Sequence, residues 1–180
     1  MKQTPFTIFT HQKGLEFLSN MRYYKIPYQS EIFNASENIY QFSKLPENLK
    51  KDWLFRFARM NPFTARKITR KLPVREDWED IKLKVMFDVL RLKFYTHSYL
   101  IKELTKIEGP LVEYNYWKDT FWGYDINLKE GKNYLGKLLM LLRDAFKENK
   151  NPLFKDLVFY EKYEPNKMYS KDEIEQFLKK

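Results

Sequence analysis

Between Trp78 and Leu92 apolar residues fall at Trp78, Ile81, Val85, Val89 and Leu92, a spacing that an α-helix turns onto one face. Asp77 and Glu79 at its start, and Arg91 and Lys93 near its end, suit the helix dipole. Helix-start chemistry recurs upstream. Asn34-Ala35-Ser36-Glu37 has the form of a capping box and predicts a helix from about 35 to 45. Pro46 suits the first turn of a second helix, whose apolar stripe is Leu49, Trp53 and Phe57. Asn61-Pro62 joins an N-cap to a proline at the first helical position and opens a third, running to about Lys71.

Helical periods return at about 98–105, stopped by Gly109-Pro110, and from Asn133 to Glu148, with Leu135, Leu138, Leu139, Leu142 and Phe146 on one face. Strands are few. Residues 6–10 alternate apolar and polar positions, Leu111–Tyr114 is a strand candidate, and 17–33 predicts loops with one or two short strands. The expected fold class is α+β, mainly helical: one compact domain over 1–148 with a few short strands. Residues 149–180 form an extension, in which a second capping box at Ser170–Glu173 predicts a short docking helix.

A chain of 180 residues fits a single domain, and its 15 Phe, 13 Tyr and 4 Trp supply core area without many small aliphatics. The absence of Cys removes a disulfide framework, a thiolate zinc site and a Cys nucleophile. His11 and His97 lack metal-ligand spacing, no phosphate-binding glycine fingerprint occurs, and neither a metal nor a cofactor is expected. No apolar run resembles a signal peptide or spans a bilayer, so a cytoplasmic location without a membrane partner is expected. No obligate protein partner is evident.

The formal charge of +9 is concentrated. Between Lys44 and Arg75 ten cations face two acids, Glu47 and Asp52. Such a block attracts phosphates through its local field; an ordinary solvated helical face is the plainer alternative.

Five elements in series resemble one family. They are Phe17-Leu18-Ser19-Asn20; Glu37-Asn38-Ile39-Tyr40-Gln41-Phe42-Ser43-Lys44; and Arg75-Glu76-Asp77-Trp78 with Lys84, Met86 and Lys93-Phe94. Leu111-Val112-Glu113 with Asp119 and Trp122-Gly123 follows, and then Gly131–Met140 with Arg143. In this order they resemble the NADAR/YbiA-like family over roughly residues 15–146. Asn38 departs from the histidine usual there, and Thr105–Gly109 departs from a Thr-Gly pair.

The resemblance implies a NADAR/YbiA-like fold and N-glycosidase chemistry, metal-independent, on ADP-ribosylated or phosphoribosylated substrates, with ADP-ribosylated DNA among them. Breaking a ribose–nitrogen bond develops positive charge at the anomeric carbon and negative charge on the departing base. On a helix Glu37, Gln41 and Lys44 share one face. Glu37 either stabilises the sugar cation and moves a proton or merely completes a capping box. Lys44 either attacks the opened sugar as an amine, the Schiff-base route the family suggests, or is a surface lysine. Burial and neighbouring cations would lower its pKa and Glu37 would raise it.

Asp119 is either a catalytic loop carboxylate or a turn residue bonding its own backbone. Glu113 is either a substrate contact or the partner of Arg75 or Arg143. Asn20, Gln41 and Arg75 are candidate substrate contacts. Trp122 suits base stacking, whereas Trp78 is a candidate substrate contact or simply core. Gly123 is a candidate substrate contact, and Asn133 with Gly131 and Gly136 opens a helix whose N–H groups suit a phosphate or the ribose, or plain capping.

Overall fold

The computed structural model describes residues 7–8 and 13–163, and of 7–8 the backbone alone. The chain divides into two compact units, one of residues 17–102 and one of 1–16 with 103–180.

In the first unit the chain makes a hairpin, β2 (Tyr23–Tyr28) antiparallel to β3 (Glu31–Ala35), and enters α1 (Ser36–Ser43) without a break. α2 (Glu47–Arg59), α3 (Pro62–Thr69) and α4 (Trp78–Thr96) follow. α1 packs against the hairpin, α2, α3 and α4, and all eight of its residues are buried. One side meets an apolar cluster of Ile26, Phe33, Phe42, Phe57, Ala65 and Val89. A helix enclosed on all sides should be apolar all round. This one carries Ser36, Glu37, Asn38, Gln41 and Ser43, so each polar group must find a partner or serve another purpose.

The expected helix starts fared differently. Asn61 caps α3 as expected, its Oδ1 accepting from Phe63 N at 2.9 Å with Pro62 at the first position. Asn34 does not cap α1. β3 stays extended through Ala35, the N-cap residue has φ −156°, and no side-chain cap bond forms. Instead Asn34 Nδ2 donates to the Arg59 carbonyl at 2.8 Å, at the last turn of α2.

The boundary between the units falls within α5 (Ser98–Lys106). In the second unit the expected strand at Leu111–Tyr114 is two: β4 (Leu111–Val112), parallel to β1 (Thr7–Ile8), and β5 (Tyr114–Asn115), parallel to β6 (Tyr124–Asp125). α6 (Tyr134–Lys147) packs on β4, and residues Leu135 to Arg143 are buried without interruption. A 3-10 helix at Phe154–Tyr160 also packs on α6, where Tyr160 donates to Asp144 at 3.1 Å and Lys137 pairs with Glu161 at 2.8 Å. The helix expected after Ser170 and residue His11 lie outside the described residues. Among the described residues no helix is long and apolar enough to cross a membrane.

Candidate active site

Glu37, Gln41 and Lys44 come together on one face of α1, as their spacing dictates. Gln41 Nε2 donates to Glu37 Oε1 at 2.7 Å, and the two are 3% and 8% exposed. The Glu37 backbone N–H donates to the Asn20 carbonyl at 3.0 Å. The Asn20 amide donates to Met86 Sδ at 3.2 Å, while its Oδ1 is buried without a hydrogen-bond partner. An unpartnered buried acceptor costs stability, as expected where a substrate supplies the missing donor.

Lys44, just past the helix end, places its ammonium 5.0 Å from the Tyr40 ring centroid and 5.5 Å from that of Trp78. The two rings meet edge to face at 5.0 Å, so Trp78 is both buried and a wall of this slot. Loss of water lowers the Lys44 pKa first; Glu37 opposes this, Arg66 and Arg70 reinforce it, and Glu79 opposes it. The net direction is downward, which favours the neutral, nucleophilic amine. Arg75 donates its backbone N–H to the Lys44 carbonyl at 2.8 Å and grips Asp77 with its guanidinium. It anchors the loop behind the lysine.

Asn38 faces the other way. Its Nδ2 donates to the Phe57 carbonyl at 2.8 Å and the Met60 carbonyl at 2.9 Å, closing the end of α2. Its place in the series is therefore a packing position on α1, off the Glu37–Gln41–Lys44 face.

The remaining candidates belong to the second unit. Asp119 Oδ1 accepts from Phe121 N at 3.3 Å and Trp122 N at 2.9 Å, which is the turn-forming geometry. Asn115 accepts from Trp117 N and Asp119 N and donates to the Asp119 carbonyl, fixing the same loop. Asn133 has a left-handed backbone, φ 53°, and no capping bond. Its amide instead pairs with β4 like a strand edge, accepting from Glu113 N at 3.0 Å and donating to the Leu111 carbonyl at 2.8 Å. Gly136 permits that approach, since a Cβ there would lie 2.2 Å from the Leu111 oxygen. At Gly123 a Cβ would lie 2.4 Å from the Glu113 oxygen.

The N–H groups of Lys132, Asn133, Tyr134 and Leu135 donate to carbonyls of Thr120, Gly123, Phe121 and Trp122. Four N–H groups at the start of α6 are therefore taken by its own loop. Trp122 is partly buried with its ring 5.0 Å from Phe121. Arg75 holds Asp77, and Arg143 holds Asp144 and the Gly109 carbonyl. Among the described residues no group of three His, Asp or Glu could hold a metal ion.

Sequence reasoning missed two features. The cations that act on Lys44 are Arg66 and Arg70, on or next to α3, which packs on α1. Lys93 is fully buried, its ammonium donating to the carbonyls of Phe17 and Ser19, directly before Asn20.

A NADAR domain match spans residues 1–147. N-glycosidase YbiA of Shigella sonnei is 31% identical over 147 residues, covering 80% of this chain and 89% of that protein. Riboflavin biosynthesis protein PYRR, chloroplastic, of Arabidopsis thaliana is 42% identical over 73 residues, 41% of this chain but only 12% of that protein. The NMR structure of E. coli YbiA superimposes with a TM-score of 0.69 at 28% identity, covering 83% of this chain and 89% of that one. With its α+β, mainly helical fold, the chain belongs to the NADAR family.

Proposed function

We propose that the chain is an N-glycosidase that removes ADP-ribose from guanine, in DNA or in nucleotides, without a metal. The observation that carries this reading is the Lys44 ammonium, desolvated between Tyr40 and Trp78, on the helix face that carries the Glu37–Gln41 pair. Glu37 stabilises positive charge at the anomeric carbon as the carbon–nitrogen bond breaks, and the base leaves with a proton. Lys44, in its neutral form, adds to the anomeric carbon as the base leaves and gives up the proton that the base carries away; the ring opens to the lysine imine, and water then adds, releasing the sugar aldehyde and restoring the amine. The balance is one water consumed per bond cleaved. Gln41 holds Glu37 in place, and Asn20 Oδ1 offers an acceptor to a substrate hydroxyl or base N–H.

The substrate half of the proposal is supported by Arg66 and Arg70, which bring uncompensated positive charge towards Lys44, as a pyrophosphate would require. A second reading has its own support. The similarity to a riboflavin biosynthesis protein favours the same bond cleavage on a phosphoribosylamino pyrimidine.

Incubation with an oligonucleotide bearing ADP-ribose on guanine, followed by mass spectrometry of the DNA, tests the first reading. Loss of the adduct, abolished in Glu37→Ala, together with a borohydride-trapped adduct on Lys44, is the expected result. An intact adduct alongside turnover of the pyrimidine shifts the assignment to the second substrate. No cleavage of either compound ends the glycosidase reading.

A further inference from the structure

We propose that the outer face of α3 is a docking track for single-stranded DNA, with a base stacked on Phe63 and phosphates on Arg66, Lys67 and Arg70. The inference deepens the proposed function and rests on it, because it names the form in which a modified guanine reaches Lys44.

α3 has two faces. Pro62, Ala65 and Thr69 are buried, and Phe63, Arg66, Lys67 and Arg70 fall at i, i+3, i+4 and i+7 on the other side. Phe63 is 68% exposed, which folding does not reward. Asn61 accepts the Phe63 backbone N–H with its side-chain oxygen and donates its side-chain amide to the Tyr23 hydroxyl at 3.0 Å. A second exposed ring, that of Tyr23 at 55% accessible, is thereby tied to the residue that caps α3. Two solvent-facing rings at the start of this helix offer faces on which bases can stack.

The charge on this face is uncompensated. Elsewhere in the unit Arg59 pairs with Glu31 and Arg75 with Asp77. Arg66, Lys67 and Arg70 have no acidic partner among the described residues, and Arg66 and Arg70 act electrostatically on Lys44. The stripe thus starts at an exposed ring and runs about 10 Å at 1.5 Å per residue along a helix packed against α1, just past whose end stands the candidate nucleophile. Rings for bases and cations for phosphates on one line are the requirements of an unpaired strand; a duplex keeps its bases stacked on one another and offers no face to Phe63.

Fluorescence anisotropy with a short unmodified oligodeoxynucleotide tests the track without requiring turnover. Affinity should fall with salt at a log–log slope of about −2, from ~0.7 per phosphate over three contacts. Phe63→Ala should weaken binding about ten-fold with little change in slope. The Arg66→Gln/Arg70→Gln double variant should flatten the slope by about 1.4. Phe159→Ala, at an equally exposed ring of the other unit, should leave binding unchanged. Absence of binding, equal affinity for the duplex, tighter binding of RNA of the same sequence, or indifference to Phe63→Ala would each overturn the proposal. Unchanged thermal melting of Phe63→Ala confirms that the variant is folded. A failed track leaves cleavage of an ADP-ribosylated mononucleotide measurable, and a failed glycosidase leaves strand binding measurable.

Discussion

Gln41 donates to Glu37 across 2.7 Å within α1, joining an amide and a carboxylate that are both buried. The bond restricts the carboxylate to one rotamer without neutralising it, which suits a group that must face a developing cation. Glu37→Gln removes the charge and should lower kcat by about 10²–10⁴-fold. Gln41→Leu leaves the charge but frees the side chain, and its loss should be smaller, on the order of ten-fold. Steady-state rates on the ADP-ribosylated oligonucleotide, compared at saturating substrate, give both numbers. Equal losses would show that Gln41 does more than position its neighbour.

Lys44 must be neutral to attack, so its rate of borohydride-trapped adduct formation should rise with pH and level off below the ordinary lysine value. Burial is the main cause holding the pKa down, Glu37 holds it up, and Arg66 and Arg70 add to the lowering. Removing the two arginine charges with Gln should therefore move the midpoint of the rise to higher pH. Glu37→Gln should move it to lower pH. Trapping rates measured across the alkaline range decide this, and shifts of the same sign in both variants would refute the assigned electrostatics.

The sequence displayed the helices well and the site in halves. Asn61 and Asn34 make the contrast plain. Both precede a helix with start chemistry, yet only Asn61 caps, because nothing competes for its backbone. Asn34 is drawn into β3 by pairing with β2, a partner that local pattern does not reveal. Periodicity put Glu37, Gln41 and Lys44 on one face correctly, since that is a property of any helix. The approach of Arg66 and Arg70 depends on how α3 packs against α1, and no spacing encodes it. Asp119 and Asn133 carried two readings each, and their bonds are spent on loop and strand backbone.

Asn38 binds two carbonyls at the end of α2. Asn38→Ala takes this donor from the buried Phe57 carbonyl, while the part-buried Met60 carbonyl keeps Asn34 at 3.5 Å, and should cost about 1–3 kcal/mol for the one stranded group. Urea unfolding measures the loss. Catalysis per folded molecule should stay within a few-fold of the parent, because Asn38 lies off the Glu37–Lys44 face. A hundred-fold fall in kcat with unchanged stability would place the residue in the chemistry instead.

Lys93 supplies a pH dependence of stability with a definite sign. Its ammonium is buried among Phe17, Ser19, Tyr24 and Phe94, and burial pushes its pKa down to about 7. In the unfolded chain a lysine holds its proton to about 10.4. Between those values the unfolded state binds more protons than the folded one, so stability rises with pH. Below pH 7 both states are charged and the full burial penalty applies. Above 7 the neutral amine still has two N–H groups, enough for the carbonyls of Phe17 and Ser19, so the turn that presents Asn20 to Glu37 keeps its anchor. Relative to Lys93→Met, the parent should gain about 1 kcal/mol of unfolding free energy per pH unit between roughly 7.5 and 9.5. Urea titrations of both proteins across that window supply the comparison, and parallel stability curves would show that Lys93 does not lose its proton on folding.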